Sequence, residues 1–353
     1  MDFALRAFDL ELKDPFTISR GTVTSQPTLI VEVRQDGMVG YGEATTNSYY
    51  GATLESMRDA LLSVRDQLAT IPLENPAEVW KTLDPQLGGN RFAQCALDCA
   101  IWDWYGKSQG LPLWKLWGFR SDDPQPPTCF TLGMDTLEVM SRKMDSMPDW
   151  PVYKVKVGPD GGFDLVQHLK QTAESAGRDV RFRVDANCAW RADQVLGYAE
   201  QLARLGVELI EQPLPAEEYG AMQALKGKSP IPLMADESCQ IESDVDRCLD
   251  AFDAINIKLV KCGGLTPARR MIARAKQRGL KVMVGCMTES SVGIAAGAHL
   301  LPLLDFADLD GALLLKEDIA AGIQWRAGEW QPTDQTGLGV QLTEAAVSAA
   351  QDL

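Results

Sequence analysis

Several things are scarce or missing in this chain. No apolar stretch reaches eighteen residues, so a transmembrane helix is not expected. The N-terminus, Met1-Asp2-Phe3-Ala4, lacks a basic region followed by an apolar run, so no signal peptide is expected either. Positive charge is in deficit, with 34 Lys and Arg against 49 Asp and Glu and a net charge of −15. A surface that acidic disfavours nucleic acid and anionic membranes, and otherwise serves solubility. Eight cysteines occur, yet none forms a C-x-x-C pair. Cys95 and Cys99 stand four apart, one face of a helix. All eight read as reduced thiols of a cytoplasmic protein, not as disulfides or a zinc site. Histidine occurs only as His168 and His299, and no Gly-x-Gly-x-x-Gly dinucleotide fingerprint is present.

What is present suits a larger architecture. A length of 353 residues exceeds one ordinary domain and fits a barrel with a smaller partner. The apolar fraction of 45% and charged fraction of 24% are ordinary for a globular protein. The first part reads as α+β. Thr28 to Val33 and Gly40 to Glu43 are strand-like, and Asp36-Gly37 between them marks a hairpin turn. Helical patterns follow at Thr53–Leu68, Pro76–Leu83 and Asn90–Gln109. Asp122 to Pro127 then reads as a linker.

Beyond Pro127, short apolar runs alternate with helical stretches. The runs are Cys129–Leu132, Val152–Val157, Phe182–Asp185, Glu208–Glu211, Leu233–Asp236, Ala254–Leu259, Val282–Gly285 and Phe306–Asp310. Eight strand–helix units predict a parallel (β/α)8 barrel in preference to a doubly wound sheet. The division expected is an α+β capping domain over 1–120 and a barrel over 121–318. A tail over 319–353, with strands near 322–325 and 337–342, should pack back on the first domain.

The chemistry gathers at strand ends. The third, fourth and fifth runs end in Asp185, Glu211 and Asp236, separated by 26 and 25 residues. One βα unit lies between each, so the three carboxylates should converge on the C-terminal rim, where barrel active sites lie. Any one alone could be a helix-capping acid. Together they would repel unless a cation joined them, and all-oxygen ligands suit Mg2+, with Mn2+ as the alternative. Lys154 and Lys156 alternate on the second run and should share its inward face. Close packing of two ammonium groups should lower their pKa values, as a general base requires. Lys258 lies on the sixth run, diametrically across the barrel, with Lys261 as its rival. Lys156 and Lys258 could thus remove a proton from one face of a carbon and return it to the other, through an enediolate stabilised by the metal.

The ordered segments KVKVG, VDAN, IEQP, ADES and INIKLVKCGG resemble the enolase superfamily, in its muconate-lactonizing-enzyme-like subgroup. The resemblance covers nearly the whole chain. It implies Mg2+ held by Asp185, Glu211 and Asp236, with Lys156 and Lys258 as acid and base. Lys154 would support the substrate carboxylate or tune Lys156. A neighbouring branch uses a histidine on the seventh strand, and neither histidine here is placed for that. The segment FADLDG, carrying Asp308 and Asp310, resembles dipeptide epimerases, where such a pair binds the substrate's α-ammonium. Epimerisation of the C-terminal residue of a dipeptide is therefore expected, with L-Ala-D/L-Glu as the first substrate to test.

Cycloisomerisation, o-succinylbenzoate synthesis and N-acylamino acid racemisation are the alternatives within the subgroup, and dipeptides other than Ala-Glu are a further one. Arg20, in the early loop, would pair with a glutamate side chain, as in Ala-Glu epimerases. Glu289 could instead favour a basic N-terminal residue. The Asn47–Gly51 loop should close over the substrate. A homo-oligomer is expected from the resemblance alone.

Overall fold

A computed structural model describes residues 2–87 and 89–353. The N-terminal part is built on a long antiparallel meander: β1 (Asp2–Ile18), β2 (Gly21–Gln35) and β3 (Met38–Thr45). The β2–β3 hairpin turns on Asp36 and Gly37, with Gln35 paired to Met38. Both turn residues have positive φ, at 52° and 76°, the geometry that an Asp-Gly turn supplies.

The longer helices that follow are α1 (Leu54–Ser63), α2 (Pro76–Leu83) and α3 (Arg91–Ser108). The expected Thr53–Leu68 helix breaks at Val64, and a short turn of helix, Arg65–Leu68, continues it. Thr53 caps α1, accepting from the Ser56 amide, and Asn90 caps α3, accepting from Ala93. Helix α3 is buried over most of its length and lies directly on β3. The approach is close because Gly40 and Gly42 face it. A Cβ on Gly42 would stand 2.0 Å from the Ala96 carbonyl oxygen, and one on Gly40 would stand 2.1 Å from that of Ala100.

After the linker the chain forms eight parallel strands: β4 (Phe130–Leu132), β5 (Val152–Lys156), β6 (Arg181–Asp185), β7 (Val207–Glu211), β8 (Leu233–Ala235), β9 (Ala254–Lys258), β10 (Lys281–Gly285) and β11 (Phe306–Asp308). Their spatial order is their chain order. The ring closes between its first and last strands through a parallel bridge of Thr128 with Ala307. All eight runs read from the sequence are strands of this (β/α)8 barrel. Among the covering helices, α4 (Leu265–Gln277) follows β9, and α5 (Ser291–Ala298) follows β10.

Buried carboxylates on the N-terminal part help tie it to the barrel. Asp98 on α3 accepts from the amide and hydroxyl of Thr266 on α4. Glu43 on β3 accepts from the Ser290 and Gly293 amides at the start of α5. One continuous apolar core runs through both parts.

The tail differs from expectation in detail. The strand-like stretches at 322–325 and 337–342 yield only two-residue strands, Trp325–Arg326 and Gln341–Leu342. The return to the N-terminal sheet is made later, by β12 (Gln351–Asp352), which pairs antiparallel with β1. No described helix is long and apolar enough to cross a membrane. None of the eight cysteines forms a disulfide.

Candidate active site

Parallel register places the chemistry in two rungs. Lys156 pairs with Asp185, and Asp185 with Glu211. Across the barrel, Lys258 pairs with Gly285, and Gly285 with Asp308. Asp236 stands one residue beyond the end of β8. Side chains two apart on a strand share a face, so Lys154 joins Lys156 inside the barrel and both are buried.

The three carboxylates meet as the sequence indicates. Asp185, Glu211 and Asp236 each offer an oxygen within 4.8 Å of the others. Lysines surround them. Lys156 Nζ donates to Asp185 Oδ2 at 2.5 Å, and Lys258 Nζ to Asp236 Oδ2 at 2.8 Å. Lys154 Nζ lies 2.8 Å from Glu211, 3.1 Å from Asp185 and 2.7 Å from Asp308.

Burial opposes charge on all these groups, and their neighbours decide the outcome. Burial alone would raise Asp185, but the Lys156 and Lys154 ammonium groups hold it below the usual carboxylate range. Lys258 and Lys261 overcome burial at Asp236 in the same way. Glu211 goes the other way: burial and the charge of Asp185 push it up to about 7. Burial would lower Lys154, yet Asp308, Glu211 and Asp185 raise it well above the ordinary lysine value. Lys258 is raised against burial by Asp236. The lowered lysine pKa values expected from Lys154–Lys156 proximity are therefore corrected for Lys154. Carboxylates at hydrogen-bonding distance outweigh both burial and the second ammonium.

Asp308 and Asp310 also come together. Asp308 Oδ1 accepts from the Cys129 thiol at 3.0 Å, and Asp310 Oδ2 from the Thr131 amide at 2.5 Å. Burial and the nearby Asp308 push Asp310 up to about 7. Both aspartates line a cavity of about 580 Å³ at the C-terminal mouth of the barrel. Lys154, Lys156, Asp236 and Lys258 line it too, and the N-terminal part roofs it with Arg20, Tyr49 and Tyr50.

Glu289 is not on that wall, although Met287 and Thr288 are. Its carboxylate is buried, accepts from the Met287 amide at 2.9 Å, and is pushed up to about 8 by burial and Glu43. The fold thus turns Glu289 into the protein, where the sequence reading aims it at the substrate. Lys261, the rival of Lys258, binds Asp236 Oδ1 at 2.5 Å and also the Asn256 carbonyl oxygen.

Two polar partners escaped the sequence reading. Asn256 Nδ2, on β9, reaches past β8 to Glu211 Oε1 on β7 at 2.8 Å. Its signal was available, since Asn256 alternates with Lys258 on one strand face. Gln212 Oε1 accepts from the Asp236 and Ser238 amides, which fixes the loop bearing the third carboxylate. Nothing in local spacing marks that contact, because it joins neighbouring βα loops.

The comparisons with known proteins agree with this geometry. Residues 140–346 match the model of the enolase C-terminal domain-like family, and residues 3–118 match the mandelate racemase / muconate lactonizing enzyme N-terminal domain. An L-Ala-D/L-amino acid epimerase of Flavobacterium johnsoniae is 43% identical over 97% of this chain and 100% of its own. One from a Maribacter species is 47% identical over 93% of this chain and 95% of its own. A dipeptide epimerase from Methylococcus capsulatus, solved with Mg and the dipeptide L-Arg-D-Lys, superposes with a TM-score of 0.88. It is 33% identical, with 96% of this chain and 98% of that one covered. On its barrel, its N-terminal sheet and these matches, the chain belongs to the mandelate racemase / muconate lactonizing enzyme family, of the enolase superfamily.

Proposed function

We propose that this protein is a Mg2+-dependent dipeptide epimerase that inverts the α-carbon of the C-terminal residue of its substrate. The observation that carries the reading is the pair Lys156 and Lys258, on the second and sixth strands of an eight-stranded barrel. Each is bonded to a carboxylate of one buried triad. The triad fits a hard divalent ion. Its donors are all oxygen, they converge, and Glu211 Oε2 is buried without a well-directed hydrogen bond, although Lys154 is near. When bound by Asp185, Glu211 and Asp236, the ion supplies positive charge toward the substrate carboxylate as the adjacent carbon gives up its proton.

The chain's own groups do the rest. One of Lys156 and Lys258 takes the α-proton, and the other returns a proton to the opposite face. Lys154 supports the substrate carboxylate or sets the charge state of Lys156. Asp308 and Asp310 receive the substrate's α-ammonium, which offsets their mutual repulsion. The names of the Flavobacterium and Maribacter relatives support a substrate with L-Ala first and a variable second residue. The same reading takes 1–120 as the capping domain, 121–318 as the barrel and 319–353 as the returning segment, in a cytoplasmic homo-oligomer.

The test is incubation with a dipeptide library in D2O with Mg2+, followed by mass spectrometry and NMR. Deuterium is expected at the C-terminal α-carbon, with inversion. Its absence from every dipeptide would sink the proposal.

A further inference from the structure

Arg20 has a partner that its position in the sequence does not suggest. Its Nη1 donates to Glu237 Oε1 at 2.7 Å and to the Asn187 carbonyl oxygen at 3.3 Å. Its guanidinium lies over the Tyr49 ring, 4.6 Å from the centroid. Ser19 Oγ donates to the same Asn187 carbonyl at 2.9 Å. Four loops meet at this point. Ser19 and Arg20 link β1 to β2, Tyr49 follows β3, Asn187 follows β6, and Glu237 follows β8. The first two loops belong to the N-terminal part and the last two to the barrel rim. Arg20, Tyr49, Asn187 and Glu237 all stand on the cavity wall.

The burial of the two partners is unequal. The Glu237 side chain is 1% exposed and that of Arg20 is 33% exposed. A carboxylate buried so fully is costly without a cation, and Arg20 is the only ion-pair partner of Glu237 among the described residues. The second oxygen of Glu237 is buried with no hydrogen bond. Turning Arg20 toward a substrate would therefore strand a buried charge, which is far more costly than losing an exposed pair. Held as it is, the pair is neutral toward the cavity. The same cavity wall carries apolar side chains, Phe16 and Ile18 at the end of β1, Val23 at the start of β2, and Met287 and Leu314 from the barrel side.

We propose that Arg20 is a positioning residue that latches the early loop to the barrel through Glu237. The second-residue pocket, left without a free cation, then selects uncharged apolar side chains over glutamate. This rests on the dipeptide-epimerase reading above, and it redirects the role first expected for Arg20.

The test compares kcat/KM for L-Ala-L-Leu and L-Ala-L-Glu in the unmodified protein, Arg20→Met and Glu237→Gln. The unmodified protein is expected to favour L-Ala-L-Leu. Arg20→Met should lower both values by a similar factor. Glu237→Gln should raise the L-Ala-L-Glu to L-Ala-L-Leu ratio by about tenfold, the worth of one charge-assisted hydrogen bond now open to the substrate. A preference for L-Ala-L-Glu in the unmodified protein, or a loss confined to L-Ala-L-Glu in Arg20→Met, would overturn the proposal. Hydrogen–deuterium exchange of residues 17–23 gives a readout independent of turnover. Uptake should rise in Glu237→Gln, and unchanged uptake would refute the latch. If no dipeptide of the library exchanges its α-hydrogen, the proposed function fails, and the exchange of the loop still decides the latch.

Discussion

In the proposed reaction each lysine serves one face of the substrate, so removing one leaves the other's half of the exchange intact. Lys156→Ala and Lys258→Ala should each lose epimerisation by at least about 100-fold, the usual contribution of a general base. One variant should still exchange the α-hydrogen of the L-configured C-terminal residue with D2O, and the other only that of the D. Proton NMR of both diastereomers distinguishes this from a single base serving both faces, which would leave one variant fully active in exchange. Asn256 offers a second residue-scale test. Its amide holds Glu211 Oε1 from two strands away at 2.8 Å. Outer partners of this kind are typically worth 10- to 100-fold in metal affinity. Titration calorimetry should show Asn256→Leu binding Mg2+ at least about tenfold more weakly, and an unchanged affinity would remove Asn256 from the site.

At the scale of elements, legibility follows from what fixes each segment. The eight barrel strands were readable because a strand covered on both faces is a short apolar run, and its polar end marks the rim. The convergence of Asp185, Glu211 and Asp236 came with that reading. What Arg20 and Glu289 touch did not, because a loop side chain takes its partner from whichever other loop the fold brings near. Arg20 meets Glu237, 217 residues away, and Glu289 turns inward to its own loop. The two-residue strands of the tail were unreadable for another reason: so short a pair has no periodicity of its own.

The glycines of β3 carry information of a different kind. Gly42 admits α3 so closely that an added Cβ meets the Ala96 carbonyl oxygen, which is rigid helix backbone. Overpacking of a core commonly costs about 1–3 kcal/mol, and here no flexible side chain can yield. Gly42→Ala should therefore destabilise the protein by at least about 2 kcal/mol in urea unfolding. A loss below about 0.5 kcal/mol, the range of ordinary surface substitutions, would mean that α3 can move away from β3 freely.

Across the whole molecule, His299 is a junction of three distant segments. Its Nδ1 accepts from the Trp114 amide, and its Nε2 faces the Leu338 carbonyl oxygen, both at 3.2 Å. The Nε2–H tautomer satisfies both contacts, and a doubly protonated ring would lose the first. Burial lowers its pKa from 6.5 to about 4. The unfolded chain therefore binds the proton more readily between those values. Stability from this group is complete above pH 6.5 and falls as the pH drops toward 4. A difference of that size corresponds to about 3 kcal/mol. Asp98, which burial raises to about 7, acts with the opposite sign, since its folded form holds a proton more tightly over the same range. The net pH profile mixes such groups, so the measurement must isolate the histidine. His299→Gln can keep both hydrogen bonds and does not titrate. Unfolding free energies of the two proteins at pH 7 and pH 4 should show the unmodified protein losing about 3 kcal/mol more than the variant. Equal losses would mean that His299 takes up its proton in the folded state without disrupting the junction.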